Sequence, residues 1–233
     1  MLIFGIDTCC MAATAALMDE TKLVAQTVIN HDRTHSQKMM PQIETMFLQA
    51  EKDVADVDLF AAAVGPGSFT GVRIGVATVK ALAQAVDKPC AAVSTLQALA
   101  FNNAVFDGII CPILDARRNQ VYNALFLGGK TMTRLCEDRA LGIEELLNEL
   151  QAQEKPVLFC GDGTLAFRQV IAETLGEQAQ FASRMQNLNL AAAVAELALM
   201  GEGETMPAKD LIPQYVRLSQ AEREQLEKNG DNQ

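Results

Sequence analysis

The stretch Val64–Gly75, VGPGSFTGVRIG, decides the fold because it joins a short apolar segment to a long helical one. The residues before it, Leu59–Val64, are apolar and bounded by turn residues, which predicts a buried strand. The turn Gly65–Gly67 ends that strand, since its proline has no amide donor and its glycines permit positive φ. Thr70 is predicted to cap a helix that continues to about Gln84. The stretch therefore predicts a strand, a glycine-rich turn and a helix.

The predicted helix has two apolar faces and only a narrow polar stripe. One face recurs at helical spacing and consists of Ile74, Ala77, Ala81, Leu82 and Ala85. A second face consists of Val72, Val76, Val79, Ala83 and Val86. A helix on one sheet needs only one apolar face, and Gly71 and Gly75 are small enough for another backbone to approach. Two interpretations stay open: a helix buried within its own domain, and a helix shared with a partner subunit.

The composition indicates a globular protein with an acidic surface. The 233 residues are enough for one large domain or two small lobes, and 49% hydrophobic with 21% charged residues is typical of globular chains. Lys and Arg number 19 against 29 Asp and Glu, which gives a net charge of −10. Since an acidic surface repels phosphate backbones, we expect this chain to reach nucleic acid only through another subunit that supplies positive charge.

The N-terminus and the cysteines indicate a cytoplasmic protein. No segment is long and apolar enough for a membrane span, and Met1–Ile6 lacks the basic region of a signal peptide. The six cysteines form no C-x-x-C pair, and most lie in apolar, strand-like segments. We therefore expect buried free thiols in a reducing compartment.

The first half of the chain alternates strands and helices. The predicted elements are strands Leu2–Asp7, Ala12–Met18 and Leu23–Ile29, helix Gln37–Ala50, strand Leu59–Val64, the helix after the glycine turn, strand Pro89–Val93 and helix Thr95–Val105. This is the element order of one lobe of the actin-like ATPase superfamily. The second half begins near Ile109 with a similar strand and hairpin, as a duplicated fold would. We therefore predict an α/β, actin-like ATPase (ribonuclease H-like) fold with two lobes.

The second half is predicted to form the other lobe. Its elements are strands Ile109–Asp115, Val121–Leu127 and Thr131–Cys136, helix Ile143–Leu150, strand Val157–Cys160, and helices Leu165–Leu175 and Leu190–Met200. The predicted domains are a first lobe of residues 1–105 with the candidate partner-binding helices, a second lobe of residues 106–207, and a C-terminal segment of residues 208–233. We expect Gly201–Pro207 to be a flexible connection, Tyr215–Leu218 to return to the first lobe, and Gln220–Lys228 to be a terminal helix.

Three turns occupy positions where phosphates bind in other proteins. Asp7 ends the first strand, where actin-like ATPases begin a phosphate loop, but Cys9–Met11 occupy the turn and their Cβ atoms narrow the approach. We therefore expect Asp7 to be structural and to accept hydrogen bonds from turn amides. Gly161–Thr164 is a second-lobe candidate, although such a turn also simply joins a strand to a capped helix. Gly65–Ser68 precedes a helix N-terminus, but no Gly-Lys-Ser/Thr follows it, which favours a structural tight turn.

The two histidines, His31 and His35, are four residues apart, a spacing that would place two metal ligands on one helical face. The residues between them are polar, however, and Ser36 is predicted to cap the helix that follows. We therefore predict a loop without a metal site. A nucleophile activated by histidine has little support, because both histidines lie in one segment with no nucleophile motif beside it.

Motifs along the whole chain resemble those of the TsaB (YeaZ) family. The most specific is Val64–Gly75. The others are Ile6–Thr8, His35–Gln37, Val93–Leu96, Asp115–Arg117 with Val121–Tyr122, and Pro213–Arg217. The resemblance runs from the first strand to this last motif, so it covers nearly the whole chain.

The resemblance implies a role in making threonylcarbamoyladenosine beside the anticodon of tRNA. It implies a non-catalytic subunit that forms a homodimer when alone and supports a catalytic paralogue, TsaD, joined by an ATPase, TsaE. It implies contact with tRNA only through that complex, and no catalytic, cofactor-binding or metal-binding residue in this chain. The predicted partner interface lies on first-lobe helices and consists of Met39, Ile43, Met46, Phe47, Val72, Ile74, Gly75, Val76, Val79 and Ala81.

Two other functions stay open at this point. One is a small actin-like ATP-dependent phosphotransferase, which would need ATP binding and a usable carboxylate base. The other is a metallopeptidase relative, which would need zinc and a general base.

Overall fold

The computed structural model describes residues 1–30 and 35–217, and of residues 35–38 it describes the backbone alone. The elements of the first half are β1 (Leu2–Asp7), β2 (Ala13–Asp19), β3 (Leu23–Ile29), α1 (His35–Gln49), β4 (Leu59–Ala63), α2 (Phe69–Ala85), β5 (Cys90–Val93) and α3 (Thr95–Phe101). These elements lie close to the predicted ones, because each strand is a short apolar segment and each helix has a clear apolar face.

The second half contains more strands than the sequence predicts. Its elements are β6 (Ile109–Asp115), β7 (Gln120–Asn123), β8 (Phe126–Leu127), β9 (Thr133–Arg134), β10 (Arg139–Gly142), α4 (Ile143–Gln151), β11 (Val157–Cys160), α5 (Gly163–Leu175), β12 (Ala179–Phe181), α6 (Ala191–Leu199) and β13 (Glu204–Met206). The predicted strand Val121–Leu127 is two strands, and β10, β12 and β13 are missed. These strands have two to four residues each, too few for an alternating pattern to show.

The two sheets have the same connectivity. In the first sheet the order is β13-β5-β4-β1-β2-β3, with β1, β4 and β5 parallel and β2 and β3 antiparallel to their neighbours. In the second sheet the order is β10-β7-β6-β11-β12, with β6, β11 and β12 parallel and β7 and β10 antiparallel. Three antiparallel strands followed by two parallel ones therefore occur twice. The α/β, actin-like fold with two lobes is confirmed.

The chain returns to the first lobe earlier than position 208. Helix α6 packs against β1, β2 and β4, and its Val194 and Leu197 belong to the same core as Phe4 and Phe60. Strand β13 pairs antiparallel with β5, where the flexible connection Gly201–Pro207 was predicted. That prediction was wrong because backbone pairing with an edge strand makes this segment a strand. Its residues are mostly exposed, so they form no apolar segment from which a buried strand could be predicted. Residues 191–206 therefore complete the first lobe.

Helix α2 lies unusually close to the turn that follows β1. A Cβ at Gly71 would overlap the carbonyl oxygen of Thr8, and a Cβ at Gly75 would lie 2.6 Å from the hydroxyl of the same residue. That hydroxyl, Thr8 Oγ1, donates a hydrogen bond to the carbonyl of Gly71 at 2.6 Å. Ser68, rather than the predicted Thr70, caps the helix, since its Oγ accepts a hydrogen bond from the Gly71 amide at 3.3 Å. Gly71 and Gly75 therefore allow α2 to pack closely against the turn after β1.

The segment before the described C-terminus also contacts the first lobe. The amide of Gln214 donates to the carbonyl of Val64 at 2.7 Å. The ring of Tyr215 stacks on Phe69 with centroids 4.8 Å apart, and its hydroxyl accepts a hydrogen bond from Arg73 Nε at 2.8 Å. Of the predicted segment Tyr215–Leu218, Tyr215 thus contacts the first lobe, whereas Arg217 donates to the carbonyl of Ala116 in the second lobe at 3.0 Å, and Leu218 lies outside the described residues. The predicted helix Gln220–Lys228 lies outside the described residues.

The close packing of α2 predicts the effect of one added methyl group. Gly71→Ala should destabilise the fold by about 2 kcal/mol or more, because the clash with Thr8 outweighs the better helix propensity of alanine. Urea unfolding monitored by circular dichroism measures the loss. The control is Gly142→Ala, where a Cβ meets nothing within 4 Å and φ is −65°, and the expected cost is less than about 1 kcal/mol. Equal stability of the Gly71 variant and the parent would contradict this packing.

Candidate partner interface and phosphate turns

The structure decides which apolar face of α2 points inward. Val72, Val76 and Val79 are buried against the first sheet, and Val76 is 4% exposed. On the other face Ile74 is half-buried, and Ala77 and Ala81 are exposed. An amphipathic helix packed on one sheet normally shows polar residues to water. The second apolar face of α2 therefore lies at the surface of this chain.

Helix α1 is apolar on both sides in the same way. Met39, Ile43 and Phe47 are buried in the first-lobe core, where the ring of Phe47 stacks on Phe4. Outside this buried face, Met40 is 47% exposed and Leu48 is 77% exposed. Leu48 and Met40 are two turns apart, so they lie on one face of the helix. Helices α1 and α2 of the first lobe thus both expose apolar side chains, large ones on α1 and small ones on α2.

Eight of the ten residues predicted for the partner interface fill the core of this chain. The buried eight are Met39, Ile43, Met46, Phe47, Val72, Gly75, Val76 and Val79. Ile74 and Ala81 are the two that reach the surface. Periodicity gives the faces of a helix but not their orientation, which is why the prediction mixed the two sides. Met40 and Leu48, two exposed apolar residues of α1, are not among the ten predicted residues.

An apolar groove of about 390 Å³ is lined by α1, by the segment after it and by Leu82 of α2, and Met40 is the exposed apolar residue named above that lines it. Its apolar lining consists of Met40, Pro41, Ile43, Phe47, Val54 and Leu82. Three charged residues also line it, namely Glu44, Lys52 and Asp53. An apolar centre with charges around it is the usual composition of a protein–protein contact.

Asp7 is fully buried at the end of β1. Its Oδ1 accepts a hydrogen bond from the Cys9 amide at 2.8 Å, which confirms the predicted bond to a turn amide. Burial raises the pKa of Asp7 from 3.8 to about 6, and the hydrogen bond from the Cys9 amide opposes this rise. The carboxyl group thus supports the turn after β1 from inside the protein.

The two glycine turns also use their backbone amides within the chain. The Ser68 amide donates to the carbonyl of Cys9 at 2.8 Å, so the first turn is fastened to the turn after β1. In the second lobe the Gly161 amide donates to Asn187 Oδ1 at 2.8 Å. Asp162 Oδ1 accepts from the amide of Asp115 at 3.1 Å, which joins this turn to the end of β6. Both turns therefore connect strands to helices and to neighbouring turns.

The other predicted features are only partly within the described residues. His31 lies outside them, and α1 begins at His35, whose side chain is not described. Among residues 1–30 and 35–217, no three His, Cys, Asp or Glu side chains are placed to hold a metal ion. Within the same ranges, no helix has both the length and the apolar character needed to cross a membrane. The six cysteines are free, and burial raises the pKa of the Cys9 and Cys111 thiols, which confirms the predicted free thiols.

Comparison with known proteins identifies the family. The family model described as "TsaD: tRNA N6-adenosine threonylcarbamoyltransferase" matches residues 22–225. The tRNA threonylcarbamoyladenosine biosynthesis protein TsaB of Bacillus subtilis (strain 168) is 35% identical over 229 residues, which cover 97% of this chain and 99% of that protein. A tRNA N6-adenosine threonylcarbamoyltransferase of Erythrobacter litoralis (strain HTCC2594) is 30% identical over 122 residues, 46% of this chain and 36% of that enzyme.

A solved structure extends the similarity to three dimensions. A Pseudomonas aeruginosa protein described as similar to peptidase YeaZ has a TM-score of 0.78 and 25% identity, covering 93% of this chain and 99% of that one. The match therefore includes both lobes rather than one of them. The chain belongs to the family that the TsaD model describes and, within it, to the TsaB (YeaZ) proteins of tRNA threonylcarbamoyladenosine biosynthesis.

Proposed function

We propose that this chain is a non-catalytic partner subunit for threonylcarbamoyl transfer to the adenosine next to the anticodon of tRNA. In this proposal it acts in the cytoplasm and supports the catalytic paralogue TsaD, with the ATPase TsaE joining them. The observation that carries the proposal is the outward apolar face of α2, formed by Ile74, Ala77 and Ala81, which has no function within the chain's own core.

The chemistry of this surface suits a helix from another subunit. Alanines at positions 77 and 81 are exposed and small, so a partner helix can approach α2 closely. Met40 and Leu48 on α1 add larger exposed apolar side chains, whose removal from water would favour binding of a partner. An exposed apolar surface of this kind is typical of a contact site. A homodimer of the isolated chain would use the same face on both copies, as a twofold interface requires.

The similarity to the transferase supports a paralogue as the partner. A chain of related sequence is expected to have related helices, arranged to pack in the same way. The net charge of −10 supports an indirect contact with tRNA, because the phosphate backbone would need positive charge from the other subunits.

A phosphotransferase remains the competing function because of the pKa of Asp7. A carboxyl group with a pKa of about 6 can act as a general base near neutral pH. Against this, Asp7 is fully buried and holds the Cys9 amide. A base must reach the proton that it removes, and the structural role requires no such access.

Substitutions on the two faces of α2 test the partner role. Val76→Glu should destabilise the fold by about 3 kcal/mol or more, because it buries an unpaired carboxylate. Ala81→Glu should leave the stability within about 0.5 kcal/mol of the parent but abolish co-purification with TsaD and tRNA modification. Ala172→Glu, the same change at an exposed position of α5, is the matched control and should keep both co-purification with TsaD and tRNA modification. A folded Ala81→Glu variant that binds TsaD as the parent does would contradict the proposed interface.

Asp7→Asn separates structure from catalysis. The folded pKa of about 6 exceeds the unfolded value of 3.8, so the contribution of Asp7 to stability is present below about pH 4 and is lost as the pH rises through 6. Asparagine keeps the acceptor oxygen without the charge. The variant should therefore be more stable than the parent at pH 7.5, by up to about 3 kcal/mol, and the difference should shrink toward pH 4.

The same variant should retain tRNA modification in a system reconstituted with TsaD and TsaE. A folded Asp7→Asn protein that loses modification, together with ATP turnover by the isolated parent, would support the phosphotransferase instead. Urea unfolding at several pH values and a modification assay provide the two measurements.

The charge of the chain predicts weak binding to tRNA. The isolated protein should bind tRNA with a Kd weaker than about 1 µM at physiological salt, since a net negative surface releases few counterions. Filter binding or fluorescence anisotropy measures this, and the complex with TsaD is the positive control. Sub-micromolar, salt-sensitive binding of tRNA by the isolated chain would contradict the proposal that the chain contacts tRNA only through other subunits.

A further inference from the structure

Strand β3 ends the first sheet and pairs with no strand on its outer side in the part of the chain that the structure describes. It has seven residues, whereas the other terminal strands described, β9, β10, β12 and β13, have two to four. Its sequence from Leu23 to Ile29, LVAQTVI, contains no charged residue and no proline. Natural proteins commonly protect an edge strand by short length, charge or proline. Because β3 has none of these three protections, its edge is open to another strand.

The ladder of the first sheet shows which backbone groups of β3 point outward. The carbonyl of Leu2 accepts the amide of Asp58, so the even-numbered residues of β1 turn their backbone groups toward β4. Since these groups alternate along a strand, the odd-numbered residues of β1 bond the even-numbered residues of β2. The odd-numbered residues of β2 then bond the odd-numbered residues of β3. Gln26 and Val28 therefore direct their amides and carbonyls to the free edge.

The pairing of β3 with β2 is irregular at one place, near the start of β3. The register shifts between Leu17 and Met18, which lie opposite Ala25 and Leu23, as in a β-bulge. A bulge bends an edge strand and limits further pairing beside it. From Ala25 to Ile29 the register is regular, so this part of β3 is the one that can accept another strand.

The sequence of β3 reads almost the same in both directions around Gln26. Two antiparallel copies centred on this residue would place similar, uncharged residues opposite each other, namely Val24 with Val28, Leu23 with Ile29, and Ala25 with Thr27. Gln26 would face its own copy in a hydrogen-bonded pair, because its backbone groups point outward. A twofold interface requires a surface that is complementary to itself. A second copy of this chain therefore fits the edge.

The side chains of β3 favour the same occupant. Leu23 is 46% exposed and Val28 is 40% exposed, so pairing would remove apolar area from water. The Oε1 atom of Gln26 is buried and accepts no hydrogen bond from the described residues. A buried acceptor without a donor is unfavourable. Since residues directly opposite in an antiparallel pair are in contact, the side-chain amide of the other Gln26 is placed to supply a donor.

We propose that β3 is a self-association surface, at which two copies of this chain join their first sheets through the backbones of Gln26 and Val28. This surface is separate from the outward face of α2, and the proposal does not depend on the partner-subunit function. The contact consists of one short strand on each copy. We expect it to bury less than the roughly 1,200 Å² of a stable complex, which makes it a weak, concentration-dependent dimer.

Opposite charges at position 26 test both the surface and its register. Gln26→Lys and Gln26→Glu are each made in the Ala81→Glu variant, to exclude self-association through α2. In either protein the new charge faces its own copy across the twofold axis, so the Kd of self-association should rise at least about tenfold. An equal mixture of the two should associate again, because lysine then faces glutamate. Sedimentation equilibrium at several concentrations measures all three samples and the Ala81→Glu parent.

A variant without a new charge separates pairing from electrostatics. Val28→Pro removes an amide that points to the free edge and no bond to β2, so it should also weaken self-association. Gln180→Lys, at an exposed position of the edge strand β12, is the matched control for Gln26→Lys and should leave self-association unchanged. Circular dichroism establishes that each variant is folded.

Two results would overturn the proposal. One is an Ala81→Glu parent that stays monomeric up to about 1 mM, a concentration at which even a weak contact is populated. The other is a mixture of the Gln26→Lys and Gln26→Glu proteins that associates no better than either protein alone.

Discussion

The contact between helix α2 and the turn after β1 fixes the rest of the first lobe. Gly71 and Gly75 let the helix backbone approach Thr8 until its hydroxyl bonds the carbonyl of Gly71. A helix held this closely has one possible rotation, with Val76 against the sheet and Ala81 toward solvent. The tight packing of the inward face thus determines which face of the helix points outward.

The sequence predicted the fold well wherever an element was long and regular. Apolar segments bounded by strong turn signals predicted the first five strands. The same signals predicted the helices that follow the turns at 65–68 and 161–163. The duplicated order of these elements indicated two lobes. The short strands β10, β12 and β13 could not be predicted, because backbone pairing with a neighbouring strand, rather than their own pattern, makes them strands. The return of the chain at Ala191 was missed for a similar reason: an alanine-rich helix can pack on either sheet.

The candidate sites were less predictable than the fold. Spacing alone identified two apolar faces on α2, but only the structure showed that Val76 is buried and Ala81 is exposed. Of the residues predicted for the interface, Ile74 and Ala81 are the accessible ones.

The central claim is that a partner subunit covers the outward face of α1 and α2. Methionine oxidation footprinting tests it without any substitution, because Met40, Met11 and Met185 are all exposed on the chain alone and only Met40 belongs to this face. The dilute protein should be treated with peroxide with and without TsaD, and the oxidation rate of each methionine measured by peptide mass spectrometry. We expect TsaD to protect Met40 and to leave the rate at Met185 unchanged. Oxidation of Met40 at the same rate in the complex as in the isolated chain would contradict the account.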